Sequence, residues 1–239
     1  MRFNVPALAY HKVAEIPPGI RHPENYVRPA QFRRQLASLQ RARYSSITVS
    51  QYLAYRRGDG ALPPRPVMIT FDDGYMSNYE IALPIVLEHG FTATVFIPSR
   101  LIGSTNVWDD AEIQEPLLGI PQIRQLQKNG IEFQSHTRTH ASLNAVDDAT
   151  ALDELRGSRC DLEDLLGAPV DVVAYPWSRY DTRVKQLAAD AGYLGGVILR
   201  RRVNFDSTPL FELRRIGVSN TTSQARFVWD LMRLRWRGE

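Results

Sequence analysis

Residues 67–97 read Val67-Met68-Ile69-Thr70-Phe71-Asp72-Asp73-Gly74-Tyr75-Met76-Ser77-Asn78-Tyr79-Glu80-Ile81-Ala82-Leu83-Pro84-Ile85-Val86-Leu87-Glu88-His89-Gly90-Phe91-Thr92-Ala93-Thr94-Val95-Phe96-Ile97. The run Val67–Phe71 is β-branched and aromatic, as a buried strand requires. Ser77 or Asn78 can cap a helix over Asn78–His89, and Gly90 stands where a left-handed residue ends one. A second apolar run, Phe91–Ile97, follows. Strand, helix and strand in that order predict a parallel pair with a crossover.

Working outward, the same alternation recurs. Strands are predicted at Val5–Tyr10, Ile131–Gln134, Val170–Tyr175 and Tyr193–Leu199, and helices at Pro29–Arg43, Pro121–Asn129, Asp147–Leu166 and Thr182–Ala191. Gly130, Gly167 and Gly192 follow helix-period runs as Gly90 does. The class is therefore α/β with a mostly parallel sheet, and 239 residues suit one closed α/β domain. Residues 12–28 and 99–119 are connections long enough to shape a cleft.

The chain is 44% hydrophobic and 23% charged, an ordinary globular composition. No stretch approaches the ~20 apolar residues of a membrane span, and the start is too short an apolar run for a signal peptide, so a cytoplasmic chain is expected. The single cysteine, Cys160, rules out an intrachain disulfide and any multi-cysteine metal site. The net charge of +3 is concentrated late: residues 200–239 carry nine Arg against four acids. Because 26 of the 29 basic residues are Arg, this is read as composition, and no nucleic-acid partner is expected. Residues 223–239 form a basic amphipathic helix that either closes the domain or rests on an anionic membrane.

Two motifs carry chemistry. Thr70-Phe71-Asp72-Asp73-Gly74 ends a strand with two carboxylates, which reach one cavity only if the strand breaks there. Held close, they would repel unless a cation stood between them. Ser135-His136-Thr137-Arg138-Thr139-His140 closes another parallel strand, with its two imidazoles at a spacing that suits chelation from one helical turn. Both motifs sit at strand C-terminal ends, where α/β barrels keep their active sites. Two His and a carboxylate leave a metal position open for water. The ion is expected to be Zn²⁺, with Co²⁺, Ni²⁺ or Fe²⁺ as other candidates.

These motifs, with Tyr175-Pro176-Trp177-Ser178-Arg179-Tyr180-Asp181 as a variant third, resemble the polysaccharide deacetylases with a NodB-type domain, carbohydrate esterase family 4. The third motif is nearest the branch acting on poly-N-acetylglucosamine, and the resemblance spans roughly residues 5–218. It implies a distorted (β/α)7-type barrel in a single domain, and hydrolysis of an N-acetyl group from an amino-sugar glycan, oligosaccharide or lipid-linked sugar. It further implies Asp72 as catalytic base, Asp73, His136 and His140 as metal ligands, and the Trp177 N–H in the oxyanion hole.

The sequence departs from that pattern twice. No Arg precedes Pro176 to orient the base, and Arg179 comes after it. The late Leu-x-His that protonates the leaving amine is missing, so His11, closing the first strand, is the expected substitute, with Asp72 returning its own proton as the alternative. Trp108 in the 99–119 loop either lines a sugar subsite or packs. Rival readings are a carbohydrate-binding homologue without catalysis, and a deformylase or other amidase acting on a lipid-linked sugar.

Overall fold

The computed structural model describes residues 4–236 and, in the last helix, side chains up to Met232. The strands are β1 (Ala7–Tyr10), β2 (Lys12–Val13), β3 (Tyr26–Val27), β4 (Ser45–Ile47), β5 (Pro66–Phe71), β6 (Thr94–Ile97), β7 (Glu132–Ser135), β8 (Val172–Ala174), β9 (Gly195–Leu199) and β10 (Leu213–Gly217). Seven of them close a parallel ring in the order β1-β10-β9-β8-β7-β6-β5, with β5 pairing back to β1. The ring is uneven for a visible reason. β4 occupies the lower flank of β5, with Ser45 opposite Pro66 and Ile47 opposite Met68, so β6 joins β5 only at Thr70 and Phe71.

Helices α1 (Pro29–Arg41), α2 (Val49–Arg57), α3 (Leu83–Glu88), α4 (Ile120–Lys128), α5 (Asp148–Leu152), α6 (Ser158–Leu166) and α7 (Thr182–Asp190) alternate with the strands, and α8 (Gln224–Trp236) ends the described chain. Their ends are chemically marked: Asp147 and Asp181 accept from the N–H groups of Thr150 and Val184. Gly90, Gly130, Gly167 and Gly192 all have positive φ, as expected at helix exits. α8 packs on the domain through buried Phe227 and Leu231, and Gln224 donates to the Ser38 hydroxyl of α1. Trp229 and Met232 remain exposed, and residues 237–239, the end of the expected basic helix, lie outside the described residues.

Strand alternation sorts side chains between two cores. On β5, Val67, Ile69 and Phe71 face the helices, whereas Met68 packs inside the barrel with Ala7, Phe96, Val172, Val197 and Leu213. The inward parity continues up each strand, so Met68, Thr70 and Asp72 share one side, as do Ala7, Ala9 and His11, and likewise Leu213 and Arg215. Function is thus placed by parity at the C-terminal mouth of a packed barrel.

Three features differ from the sequence expectation. β4, α2 and the seventh ring strand, β10, were not foreseen; Arg214 and Arg215 interrupt the apolar run of β10. Asn78–Ala82 and Asp153–Gly157 are π-helical turns, the first just before Pro84, which has no N–H to donate to Glu80. His136 and His140 do not lie on a helical turn: the segment is irregular, with left-handed Thr137 (φ 66°) and His140 (φ 63°).

Gly74 (φ 71°) fixes the break after β5, and a Cβ there would lie 2.6 Å from Ile97 Cγ2. Gly74→Ala is expected to cost about 2–4 kcal/mol from left-handed strain and overpacking together, read as a lowered urea midpoint with unchanged slope.

Candidate active site

The break after β5 does two things. Asp72 keeps the inward parity of Met68 and Thr70, and Asp73, with φ 71°, swings its carboxylate to the same cavity instead of the opposite face. Of the seven non-glycine residues with positive φ among the described residues, five are Asp73, Thr137, His140, Trp177 and Ser178. Backbone strain is therefore concentrated in the three motif turns, as at sites where geometry serves chemistry.

Buried Glu154 holds the second turn, accepting from the backbone N–H of Arg138 and of Thr139 at 2.9 Å each and from the Thr139 hydroxyl at 2.6 Å. Arg138 faces away, pairing with Asp153 and Asp161. The turn brings Nε2 of His136 and of His140 to 3.4 and 3.3 Å from Asp73 Oδ1. Tetrahedral ligands at ~2.0–2.1 Å from a zinc ion stand about 3.3 Å apart. Asp73 Oδ1 is buried and has no hydrogen-bond partner, which costs free energy unless a cation satisfies it. His136 Nδ1 lies 2.7 Å from the Ala174 carbonyl, which can only accept, so the proton sits on Nδ1 and Nε2 presents its lone pair. His140 Nδ1 has no such partner. The donor set thus fits a divalent metal.

Electrostatics point the same way. Burial alone would raise Asp73, yet the imidazoles of His136 and His140 facing it hold it well below the usual carboxylate range. Burial works to lower His136, but Asp73 and Asp72 outweigh it and the imidazole is raised; for His140 burial prevails and it is lowered.

Sequence reasoning missed Arg215. Rising from β10 inside the barrel and 1% exposed, it donates Nη1 to Asp72 Oδ1 at 2.6 Å and Nη2 to Oδ2 at 2.8 Å. Nη1 also reaches the Thr70 hydroxyl at 3.1 Å, and the guanidinium lies over Phe96. This two-pronged grip fixes the carboxylate plane. Burial would raise Asp72, but Arg215 foremost reverses that and holds it low. The signal in the sequence was the parity of Leu213 and Arg215. Arg179 instead stacks on Trp177, 5.5 Å from its ring.

Every residue expected at the site lines one cleft of about 310 Å³: His11, Asp72, Asp73, His136, His140 and Trp177. His11 Nε2 stands 3.9 Å from Asp72 Oδ2. Trp108 also lines the cleft, stacked on His140 at 4.3 Å, while half-exposed Trp177 meets the same imidazole edge-on at 4.4 Å.

The sequence profile described as Polysaccharide deacetylase matches residues 59–196. The chain belongs to the polysaccharide deacetylase family. Among its relatives, the poly-beta-1,6-N-acetyl-D-glucosamine N-deacetylase of Staphylococcus epidermidis is 26% identical over 245 residues, covering 94% of this chain and 82% of that protein. The polysaccharide deacetylase BC0361 of Bacillus cereus superposes with TM-score 0.82 at 25% identity, over 96% of this chain and 69% of that one. The Streptococcus pyogenes deacetylase PplD, solved with acetate, superposes with TM-score 0.83 over 99% and 100% at 22% identity, which speaks for a shared fold. The deacetylase barrel expected from the motifs is thus the one found.

Arg215→Met leaves Asp72 buried without its counter-charge, so the carboxyl must rise. With Asp72 in the role of base that the family resemblance implies, active only when ionised, the acid limb of kcat/KM should move up by about 1–3 pH units, and kcat/KM on the plateau should fall about 10²-fold. A pH–rate series checks both, with Arg215→Lys keeping charge but losing the two-pronged grip.

Proposed function

We propose that this chain is a metal-dependent N-deacetylase that hydrolyses the N-acetyl group of an amino sugar in a glycan, oligosaccharide or lipid-linked precursor, releasing acetate. The observation that carries this is the unpartnered, buried Asp73 Oδ1 facing two imidazole Nε2 atoms, with a second carboxylate fixed beside it by Arg215. The Staphylococcus relative, named for removing acetyl from N-acetylglucosamine units, supports the substrate class.

Asp73, His136 and His140 would hold the ion, which when bound polarises an amide carbonyl and acidifies water. Asp72 is the base that takes the proton of the attacking water. Arg215 keeps it ionised and oriented, at the expense of intrinsic basicity, since a carboxylate with a low pKa is a weak base. The Trp177 N–H, presented by a left-handed turn, would donate to the oxygen that gains negative charge. Across the cleft, His11 faces Asp72 and in this reading would protonate the departing amine. The indoles of Trp108 and Trp177 offer apolar faces to the sugar and its acetyl methyl. The Arg215 clamp also favours a working base over the binding-only alternative.

Two measurements test this reading. Reconstitution with Zn²⁺ or Co²⁺ should yield acetate, not formate, from β-1,6- or β-1,4-linked N-acetylglucosamine oligomers. His136→Asn should lose both the bound ion and turnover. Stoichiometric metal binding with neither acid released would reject the enzyme. In addition, His11→Gln should lower kcat by about 10²-fold or more with metal affinity unchanged, and turnover within a few-fold of wild type would return the acid role to Asp72.

A further inference from the structure

The residue after His11 is a lysine that is 2% exposed, and a charge is seldom buried so fully unless it is paired. Lys12 Nζ donates to the Tyr26 hydroxyl at 3.2 Å and pairs with Glu115, whose carboxylate also accepts from Tyr26 at 2.7 Å. The same ammonium lies 4.2 Å from the Tyr75 ring centroid and 4.7 Å from that of Tyr26, a favourable setting for a desolvated cation.

These partners come from separate segments around the cleft. Tyr26 belongs to β3, beside β2; Tyr75 follows the Asp72–Gly74 break; Glu115 closes the long loop that carries Trp108. That loop is tied to itself, since the Glu115 N–H donates to Asn106 Oδ1 at 2.6 Å and Asn106 Nδ2 to the Ile113 carbonyl at 3.2 Å. Glu112 adds a second tie, accepting from the N–H groups of Arg21 and His22. Between these anchors, Trp108 rests on His140 and leans toward Tyr75, 6.4 Å away.

We propose that Lys12 is a positioning residue: its buried pairing with Glu115 latches the 106–115 loop to β2, directly after His11, and so sets where Trp108 meets the substrate. The role of the indole rests on the deacetylase reading; the latch does not. A methionine would fill the same space but leave Glu115 with the Tyr26 hydroxyl and no counter-charge, so the latch depends on the charge as well as the volume. An aromatic contact of this kind is worth up to about tenfold in affinity, and the effect should fall on binding, because Lys12 touches neither Asp72 nor the metal ligands.

The test compares wild type, Lys12→Met, Glu115→Gln and the double variant as full-length, zinc-reconstituted protein. With an N-acetylglucosamine tetramer, each single variant should raise KM about tenfold with kcat within about threefold. The double variant should be no worse than either single, since both remove the same link. Hydrogen exchange of residues 106–115 should quicken in all three. An unchanged KM, a fall in kcat alone or additive single effects would overturn the proposal. Should the wild type prove inactive on every glycan, the deacetylase reading falls while hydrogen exchange still decides the latch, unchanged protection of 106–115 counting against it. If Lys12→Met does not fold, Glu115→Gln, whose substitution lies in the loop, carries the same readouts.

Discussion

Two neighbouring carboxylates can serve one cavity only because the chain turns left-handed at Asp73 and Gly74. On a regular strand, Asp72 would point into the barrel and Asp73 toward the helices. The turn cancels that alternation, and the rest of the site is arranged to tolerate the result. Asp73 is met by two imidazoles, Asp72 by a guanidinium, and each carboxylate is held ionised in spite of burial. Without those partners, adjacent buried negative charges would push at least one carboxyl to the neutral state.

The division of labour between the two aspartates follows from what each faces. Asp73 presents an oxygen with no protein donor to a pair of imidazole nitrogens, a setting that suits a shared cation. Asp72 has both oxygens engaged by Arg215, yet Oδ2 also looks across the cleft to His11. The buried ion pair is better understood as a positioning device than as a source of stability, because desolvation consumes much of the Coulombic gain. It holds the Asp72 carboxylate still in a small cleft, where misplacement of a reacting group would be costly.

The cleft is made by loops as much as by strands. Trp108 and Trp177 reach His140 from different connections, one stacked and the other edge-on, so the imidazole of the candidate metal site is packed by aromatic groups that line the cleft. The Trp177 turn is held by its own left-handed backbone, with the Ser178 hydroxyl accepting from the Leu199 N–H. The Trp108 loop instead depends on carboxylates at its base, which tie it to the opposite wall.

Much of this was legible in the chain because it is local. The β-branched runs at 67–71 and 91–97, the helix-exit glycines and the two acidic and histidine motifs each declare themselves over a few residues, since strand preference, left-handed φ and chelate spacing are short-range properties. His11, Asp72 and His136 could be placed at one rim for the same reason: each directly follows a strand in a parallel barrel. What the sequence did not disclose depends on closure. Arg215 is 143 positions from Asp72, on a strand whose two arginines hide its apolar pattern, and only the ring, which sets β10 beside β1 and β1 beside β5, turns it inward onto the Asp72 carboxylate. The pairing of Lys12 with Glu115 spans 103 positions for a similar reason. Such charges are selected by the space they must fill when distant segments meet, and that space exists only once the barrel has closed.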